Sequence, residues 1–237
     1  MNVLIGTSGY SYPEWKGNFY PQKMASKDFL HYYAERFPTV EINNTFYRMP
    51  TAALLNGWAE KVPESFTFVI KASKSITHER RLQNVGEALT YLLGATSTLG
   101  SRLGPLLFQL PPNFRKDATR LKDFFAQMPE RRRVAFEFRH ASWFDDETFG
   151  ILKENGAALC VADTGEEPAT PLVATADWGY LRLRREDFTD KELREWAKRI
   201  GQQPWKDAFV FLKHEEEGKG PKLAARLMEF VKGRASP

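Results

Sequence analysis

Residues 133–139, Arg-Val-Ala-Phe-Glu-Phe-Arg, have the alternating pattern of a β-strand. One face carries Val134, Phe136 and Phe138, and the other carries Ala135, Glu137 and Arg139. A stretch with apolar residues at helical spacing follows at 145–154. A strand followed by an amphipathic helix is the unit from which parallel α/β folds are built. This stretch therefore predicts one such unit, in which the apolar face of the strand packs against the helix.

The same unit recurs along the chain. Strand patterns occur at 3–6, 39–43, 66–71, 105–109, 133–139, 157–163, 180–184 and 208–213. Helical patterns occur at 27–36, 51–61, 85–97, 117–127, 145–154, 190–199 and 222–232, with suitable N-caps at Thr51, Asp117 and Thr189. Eight strands joined by right-handed crossovers predict a (β/α)8 barrel of the TIM type. The crossover between strands six and seven is predicted to be irregular, because Gly165, Pro168 and Pro171 exclude a full helix.

The length of the chain fits one barrel. Its 237 residues are close to the roughly 250 typical of this fold, so residues 1–237 are predicted to form a single α/β domain. An open doubly wound sheet is the alternative. It is disfavoured because Gly6-Thr7-Ser8-Gly9, after the first strand, lacks the spacing of a dinucleotide-binding loop.

The composition sets broad limits on partners and compartment. Lysine and arginine number 34 against 30 aspartates and glutamates, a net charge of +4 that permits an anionic partner without requiring one. The only cysteine, Cys160, cannot form an intrachain disulfide, which fits a reducing compartment. The opening residues lack the basic lead of a signal peptide, and no apolar run approaches the roughly 18 residues of a membrane span. We therefore expect a cytoplasmic protein without a membrane partner.

Polar residues end six of the predicted strands, where barrel enzymes hold their functional groups. The carboxylates are Glu41, Glu137 and Asp163, the cations are Lys71, Arg139, Arg182 and Arg184, and the amides are Asn43 and Gln109. All are predicted to point into the barrel mouth, because the apolar faces pack on the helices; in strand eight, either Lys213 or His214 points inward. The cluster is either a salt-bridged network that closes the core or a ligand site.

The loops after the strands add further candidates. Tyr10 lies in an aromatic segment, residues 10–20, that either stacks on a base or sugar or plugs the barrel top. His78 and His140 each follow a strand end and are candidate acids or bases. Trp143 is predicted to cover the loop after strand five and to contact a ligand. Backbone N–H groups of Gly6-Thr7-Ser8-Gly9 are a candidate anion cradle, with a tight turn as the alternative.

The histidines give little support for a metal site. His31, His78, His140 and His214 have no paired spacing of the zinc-binding kind. The mouth carboxylates could hold Mg²⁺ or Mn²⁺ through oxygen ligands, but the neighbouring arginines compete for them. The expectation is therefore a protein without a metal or other cofactor, whose mouth binds phosphate or sulfate without zinc.

Five segments resemble a known family. They are residues 6–12 (Gly-Thr-Ser-Gly-Tyr-Ser-Tyr), 15–21 (Trp-Lys-Gly-Asn-Phe-Tyr-Pro), 40–48 (Val-Glu-Ile-Asn-Asn-Thr-Phe-Tyr-Arg), 108–112 (Phe-Gln-Leu-Pro-Pro) and 137–143 (Glu-Phe-Arg-His-Ala-Ser-Trp). In this order they resemble the YecE-like family, domain of unknown function 72, over nearly the whole chain. The resemblance implies a β/α barrel and, by analogy, a likeness to barrel endonucleases of DNA repair. Two positions depart from the family: Arg184-Arg185 stands where His-Gly is frequent, and Lys213-His214 where paired Asn is frequent.

Three functions remain open at this point. The first is a hydrolase or lyase on a phosphate-bearing or nucleic-acid substrate, in which Arg139, Arg182 and Lys71 clamp the anion and Glu41 or Glu137 acts as base. The second is a non-catalytic protein that binds nucleic acid or a small anion with the same cations. The third is a sugar-type isomerase or glycosidase with paired carboxylates. The number of arginines favours an anionic substrate over the third.

Overall fold

The computed structural model describes residues 1–213 and 216–233 and shows a closed barrel. Eight parallel strands follow one another around it in chain order, and the last strand pairs with the first. The predicted fold class is therefore confirmed. His214, the alternative inward residue of strand eight, lies outside the described residues.

The strands agree with their predicted positions to within two residues at each end. They are β1 (Asn2–Ser8), β2 (Thr39–Ile42), β3 (Thr67–Lys71), β4 (Leu103–Gln109), β5 (Val134–Glu137), β6 (Ala158–Asp163), β7 (Trp178–Leu183) and β8 (Asp207–Leu212). The shorter observed strands matter for the site. Asn43, Arg139 and Arg184 lie just beyond the ends of β2, β5 and β7, so the alternation of a strand does not set the direction of their side chains.

Seven α-helices are found in the described part of the chain. They are α1 (Phe29–Ala34), α2 (Ala52–Ala59), α3 (Gly86–Thr96), α4 (Ala118–Ala126), α5 (Asp146–Glu154), α6 (Asp190–Gly201) and α7 (Lys219–Lys232). The predicted caps are present: Thr51, Asp117 and Thr189 each accept a hydrogen bond from a backbone N–H three residues later. Such caps satisfy N–H groups that have no partner within the helix. None of the helices described is long and apolar enough to cross a membrane.

The barrel interior is filled by side chains that alternate with those facing the helices. Its members are Val69, Leu107, Ala135, Ala158, Cys160, Trp178, Tyr180, Phe209 and Phe211. The odd-numbered positions of β6, Leu159 and Val161, belong instead to the larger cluster between strands and helices. Cys160 is fully buried in the interior, and this burial raises the pKa of its thiol well above the ordinary value. Interior packing thus continues up to the level at which the charged residues begin.

The crossover between β6 and β7 is irregular, as predicted. Residues 164–177 contain no helix. Buried Thr175 takes part in closing this segment against β6: its hydroxyl donates to the carbonyl of Ala157 (2.8 Å) and accepts from the N–H of Leu159 (2.8 Å). A side chain therefore supplies backbone hydrogen-bond partners at the start of β6.

Gly6 is a position where the barrel has no room for a side chain. A Cβ built there would lie 2.0 Å from the backbone oxygen of Thr39 in β2. We expect Gly6→Ala to lower the free energy of unfolding by about 1–3 kcal/mol, because a strand backbone cannot move aside as a flexible side chain can. Gly94→Ala is the matched control, since a Cβ at Gly94 in α3 meets nothing within 4 Å and alanine favours helix. Urea unfolding of both variants tests this, and equal stabilities would contradict it.

Candidate functional site

Arg182 is the centre of the charged cluster at the carboxyl ends of the strands. Its Nη2 donates to Glu41 Oε1 (2.8 Å), and its Nη1 donates to Glu137 Oε2 (2.6 Å). All three side chains are at most 2% exposed. Because Arg182 extends from β7 while the carboxylates extend from β2 and β5, one guanidinium ties together three strands of the barrel. Two buried anions therefore share a single buried cation.

Glu41 has hydrogen-bond partners on both oxygens. Ser8 Oγ (2.8 Å) and Asn43 Nδ2 (3.1 Å) donate to Oε1, which also accepts from Arg182. Tyr180 Oη donates to Oε2 at 2.6 Å. A buried carboxylate with four donors is well stabilised in its charged form. It has little capacity left to accept a proton from a substrate.

Glu137 begins a hydrogen-bonded chain that reaches Lys71. Gln109 Nε2 donates to Glu137 Oε1 (2.7 Å), and Lys71 Nζ donates to Gln109 Oε1 (2.9 Å). The amide of Gln109 therefore separates the lysine from the carboxylate. Lys71 Nζ also lies 4.1 Å from the ring centroid of Phe46. The ammonium is thus placed between an amide oxygen and an aromatic face, and no carboxylate of the described residues contacts it directly.

Both carboxyl groups have pKa values below the ordinary value in this setting. Burial opposes the ionisation of Glu137, but the guanidinium groups of Arg182 and Arg184 outweigh it and lower its pKa to about 2. Burial likewise opposes the ionisation of Glu41, and Arg182 with the hydrogen bond from Tyr180 lowers its pKa below the ordinary value. An efficient general base has a pKa nearer the working pH. The geometry therefore disfavours the base role predicted for these two residues.

The environment favours the neutral forms of Lys71 and His78, whereas it favours the charged forms of the two glutamates. Burial, with repulsion from Arg182, lowers the pKa of Lys71 to about 8, although Glu137 and Glu41 oppose the shift. Partial burial, with repulsion from Lys71 and Arg139, lowers the pKa of His78. His78 lies on a single π-helical turn, Ser75–Glu79, and its ring meets the ring of Phe46 edge-on at 4.9 Å between centroids. Near neutral pH, the imidazole of His78 is therefore uncharged. The neutral fraction of the Lys71 amine is larger than that of an ordinary lysine.

Two arginines stand at the rim above the buried network. The Nη1 of Arg184 lies 4.0 Å from Glu137 Oε1, a loose contact, and its buried Nε has no hydrogen-bond partner among the described residues. Arg139 is exposed, and neither a hydrogen bond nor an ion pair joins its side chain to residues 1–213 or 216–233. The two arginines contribute to the same local field, since each raises the cost of a positive charge on its neighbours. At the rim, Arg184 thus has only a loose contact with a carboxylate, and Arg139 has no ion pair within the described residues.

Asp163 does not belong to this cluster, and the inward orientation predicted for it is wrong. Its Oδ2 accepts from Trp196 Nε1 (3.0 Å) on α6 and from Arg185 Nε (3.2 Å). The reason is the alternation along β6. Cys160 points into the barrel, so Asp163, three residues on, points outward to the helices. Asp163 is therefore removed from the candidate catalytic residues.

Arg139 and Trp143 also differ from the prediction. Arg139 is exposed at the rim, beyond the end of β5, and the carboxylate of Glu137 pairs with Arg182. Trp143 is fully buried: its ring stacks on Phe138, with centroids 4.6 Å apart, and its Nε1 donates to Phe114 O (2.8 Å). A side chain with no exposed surface cannot contact a ligand. Trp143 anchors the loop after β5 from below.

The aromatic segment is divided between the core and a cavity. Trp15 and Tyr20 are 1% exposed; Tyr20 stacks on Phe29 of α1, and Trp15 packs against Tyr20. Tyr10 lines a cavity of about 340 Å³, whose wall also includes Gly9, Ser11, Tyr12, Ile42, Asn43, Asn44, Leu54 and Trp58. Asn43 thus connects this cavity to the charged cluster through its bonds to Glu41 and Arg182. Some rings of the segment thus belong to the core between strands and helices, whereas Tyr10 lies beside an open volume.

Two other loop predictions are not supported by the geometry. The N–H groups expected to cradle an anion are already bonded within the protein, Thr7 N to Tyr33 Oη and Gly9 N to the carbonyl of Glu41, both at 2.8 Å. His140 accepts from the N–H of Ser142 and caps a 3₁₀ turn, Ala141–Trp143.

The side chains of Ser8 and Phe46 belong to the site but were not predicted from the sequence. Ser8 shares a face with no charged residue of β1, and nothing in the sequence connects Phe46 with Lys71.

The described residues provide no ready metal centre. Within residues 1–213 and 216–233, no group of three or more His, Cys, Asp or Glu side chains is arranged to hold an ion. The two carboxylates at the mouth are engaged by Arg182. The donor set of this cluster thus suits an anion better than a cation.

Comparisons with known proteins agree with this architecture. The model of the family described as protein of unknown function DUF72 matches residues 4–237. The UPF0759 protein YunF of Bacillus subtilis is 26% identical over 97% of this chain and 94% of its own length. A crystal structure of a DUF72 family protein from Thermotoga maritima superposes with a TM-score of 0.88 at 25% identity, covering 98% of this chain and all of that one. A DUF72 protein of Enterococcus faecalis, at 19% identity, shares the fold with a TM-score of 0.83 over 97% of this chain and 95% of its own.

Proposed function

Because the chain belongs to the DUF72 family of proteins of unknown function, we propose a function from the geometry of its own barrel mouth. The mouth binds a phosphate-bearing small molecule between Arg184, Arg139 and Lys71, and the protein acts on it as a hydrolase or lyase. The observation that carries the proposal is the unmatched positive charge around Arg184. Two carboxylates face three clustered cations, and Arg139 adds a fourth at the rim.

Arg182 itself is not the anion clamp in this proposal. It is 2% exposed, and both of its terminal nitrogens donate to carboxylates. Arg184 differs in each respect. Its side chain is 22% exposed, its nearest carboxylate oxygen is 4.0 Å away, and its Nε has no partner among residues that the structure describes. A guanidinium with unused donors at a solvent-open mouth is suited to bidentate recognition of phosphate.

Proton transfer is assigned to His78 and Lys71, whose pKa values are lowered from their ordinary values. His78 is uncharged at neutral pH, because burial and the nearby cations lower its pKa. Lys71, with a pKa of about 8, can both donate and accept a proton under working conditions. Glu41 and Glu137 hold Arg182 in place through their salt bridges. In this proposal, His78 and Lys71 transfer protons. Glu41 and Glu137 have the structural role of positioning Arg182.

The geometry disfavours a glycosidase. That chemistry needs one carboxyl group that stays protonated as the general acid, with a raised pKa. Both candidate carboxyl groups here have lowered pKa values and salt-bridge to the same arginine. The recessed position of Lys71, 8% exposed, also favours a small molecule over a nucleic-acid backbone. The proposal needs no metal ion, and it places the protein in the cytoplasm, where a free thiol such as Cys160 stays reduced.

Thermal unfolding with and without inorganic phosphate tests the binding step. Ligand that binds only the folded state raises the melting temperature, by roughly 5–10 °C at a hundredfold excess over the dissociation constant. We expect Arg184→Gln to lose more than half of this rise, because it removes the partly exposed cation that only loosely contacts a carboxylate. Arg36→Gln makes the same charge change at the opposite end of the barrel and is expected to keep the full rise. Equal losses in both variants, or no rise in the parent protein, would contradict the proposal.

A further inference from the structure

Lys71 is a buried amine, and no ion pair joins it to any of the described residues. Within that part of the chain, its ammonium donates to the neutral amide of Gln109, at 2.9 Å. That amide is fixed in orientation, because its nitrogen donates to Glu137. In the part of the chain that the structure describes, no carboxylate oxygen lies within 4.0 Å of the ammonium. Buried lysines are ordinarily paired with a carboxylate, so this arrangement has the cost of a buried charge without the usual compensation.

The surroundings make the neutral form of the amine accessible. Burial disfavours a positive charge on Lys71, and Arg182 and Arg184 add to this effect by repulsion. Glu137 and Glu41 act in the opposite direction but do not outweigh it. The pKa of Lys71 is accordingly about 8 against an ordinary 10.5. The ring of Phe46, with its centroid 4.1 Å from Nζ, forms an aromatic wall on one side of the amine. Lysines that act as nucleophiles are activated in this way, by an apolar wall and neighbouring cations.

We propose that Lys71 is a nucleophile that forms a covalent imine with an aldehyde or ketone group of the molecule bound at the mouth. This inference rests on the proposed function and narrows its substrate class to a phosphorylated carbonyl compound. Arg184 and Arg139 bind the phosphate at the rim, and the carbonyl carbon reaches Nζ in the recess below. An imine also favours a lyase over a hydrolase, because a protonated imine accepts electrons from an adjacent bond that breaks.

The covalent step balances without any further reagent. The ammonium of Lys71 first gives one proton to a neutral base, for which the uncharged imidazole of His78 is the nearby candidate. The lone pair on Nζ then forms a bond to the carbonyl carbon, and the carbonyl oxygen takes up protons and leaves as water. One proton remains on the imine nitrogen. Overall, an ammonium and a carbonyl compound give a protonated imine and one water molecule.

Reductive trapping tests the inference directly. The whole protein is incubated with glyceraldehyde 3-phosphate, reduced with sodium borohydride, and digested for peptide mass spectrometry. Reduction converts an imine at Lys71 to a stable secondary amine. We expect labelling at Lys71 to be roughly tenfold or more above that at Lys74, since a pKa of about 8 rather than 10.5 enlarges the neutral fraction by about two orders of magnitude. Lys74 is the internal control, because it is near in sequence but exposed and paired with Glu79.

Two variants and a pH series complete the test. Lys71→Arg keeps the charge and is expected to abolish labelling at this position, whereas Lys74→Ala is expected to leave labelling of Lys71 unchanged. If Lys71→Arg does not fold, the parent protein still decides the matter: labelling should reach half its maximum near pH 8. A half-maximum close to the ordinary lysine value would overturn the inference.

A second probe separates this inference from the proposed function. Glyceraldehyde has the same carbonyl group without the phosphate. Preferred trapping of the phosphorylated probe supports both proposals. Equal trapping of the two probes at Lys71 supports the nucleophile and overturns the phosphate site. Stabilisation by phosphate with no labelling of Lys71 beyond that of Lys74 overturns the nucleophile and leaves the proposed phosphate site standing.

Discussion

Arg182→Met is expected to lower the free energy of unfolding by at least about 3–5 kcal/mol. The variant removes the only cation within hydrogen-bonding distance of two buried carboxylates, as far as residues 1–213 and 216–233 are concerned. Methionine has a similar length, so the change mainly removes charge and donors. Urea unfolding at neutral pH measures the effect. A loss of this size would be a large part of the stability of an ordinary domain.

Arg139→Met is the matched control for that experiment. Arg139 is exposed and has no ion pair in the described structure, so its replacement is expected to change stability by about 0.5 kcal/mol or less. Similar losses in the two variants would mean that Glu137 is not held by Arg182. A small loss in Arg182→Met alone would show that water reaches the carboxylates and that the network contributes little to the fold.

The stability of the parent protein is expected to fall steeply in acid. The pKa of Glu137 is about 2 in the folded protein against an ordinary 4.5. A lowered pKa means that the unfolded chain binds the proton first, so the contribution is complete above pH 4.5 and is lost as the pH falls toward 2. The loss from this group is on the order of 3 kcal/mol. Glu41 shifts in the same direction and adds to it.

Unfolding free energies measured across this pH range check the expectation. The Arg182→Met variant should show the opposite slope. Without the guanidinium, burial raises the pKa of both carboxyl groups, and the folded state then binds protons more tightly than the unfolded chain. The variant should therefore recover stability as the pH falls. Parallel pH profiles for the two proteins would contradict the assignment of Arg182 as the partner of these carboxylates.

The inward residues of the mouth were predictable where the alternation of a strand applies. Glu41, Glu137 and Arg182 lie within strands whose opposite faces are plainly apolar, so a period of two places them in the barrel. Asp163 was placed by its position at a strand end rather than by that period. Counting from buried Cys160 would have sent it outward, where it is found. Beyond the last hydrogen-bonded pair of a strand the rule no longer holds, as Arg139 shows.

Which arginine pairs with which glutamate could not be read from the chain. The bond from Arg182 to Glu41 spans 141 positions and depends on how the barrel closes between β1 and β8. The burial of Trp143 was also beyond the local pattern, since its partners Phe114 and Phe138 belong to different loops. These contacts depend on three-dimensional packing, because segments from different parts of the chain must come together before the contacts can form. The fold class, by contrast, repeats in every local unit of the sequence.

The single cysteine, Cys160, can serve as an internal probe of how often the barrel opens. Cys160 is enclosed by strands on every side, among interior residues such as Ala158, Tyr180 and Phe211, and its thiol has no exposure to solvent. An alkylating reagent can reach it only after neighbouring strands separate. The rate at which Cys160 is alkylated in the native protein, compared with the rate in the denatured chain, therefore reports how often the barrel opens. Compounds that bind at the mouth should lower the alkylation rate of Cys160 even when their binding causes no change in a spectroscopic signal.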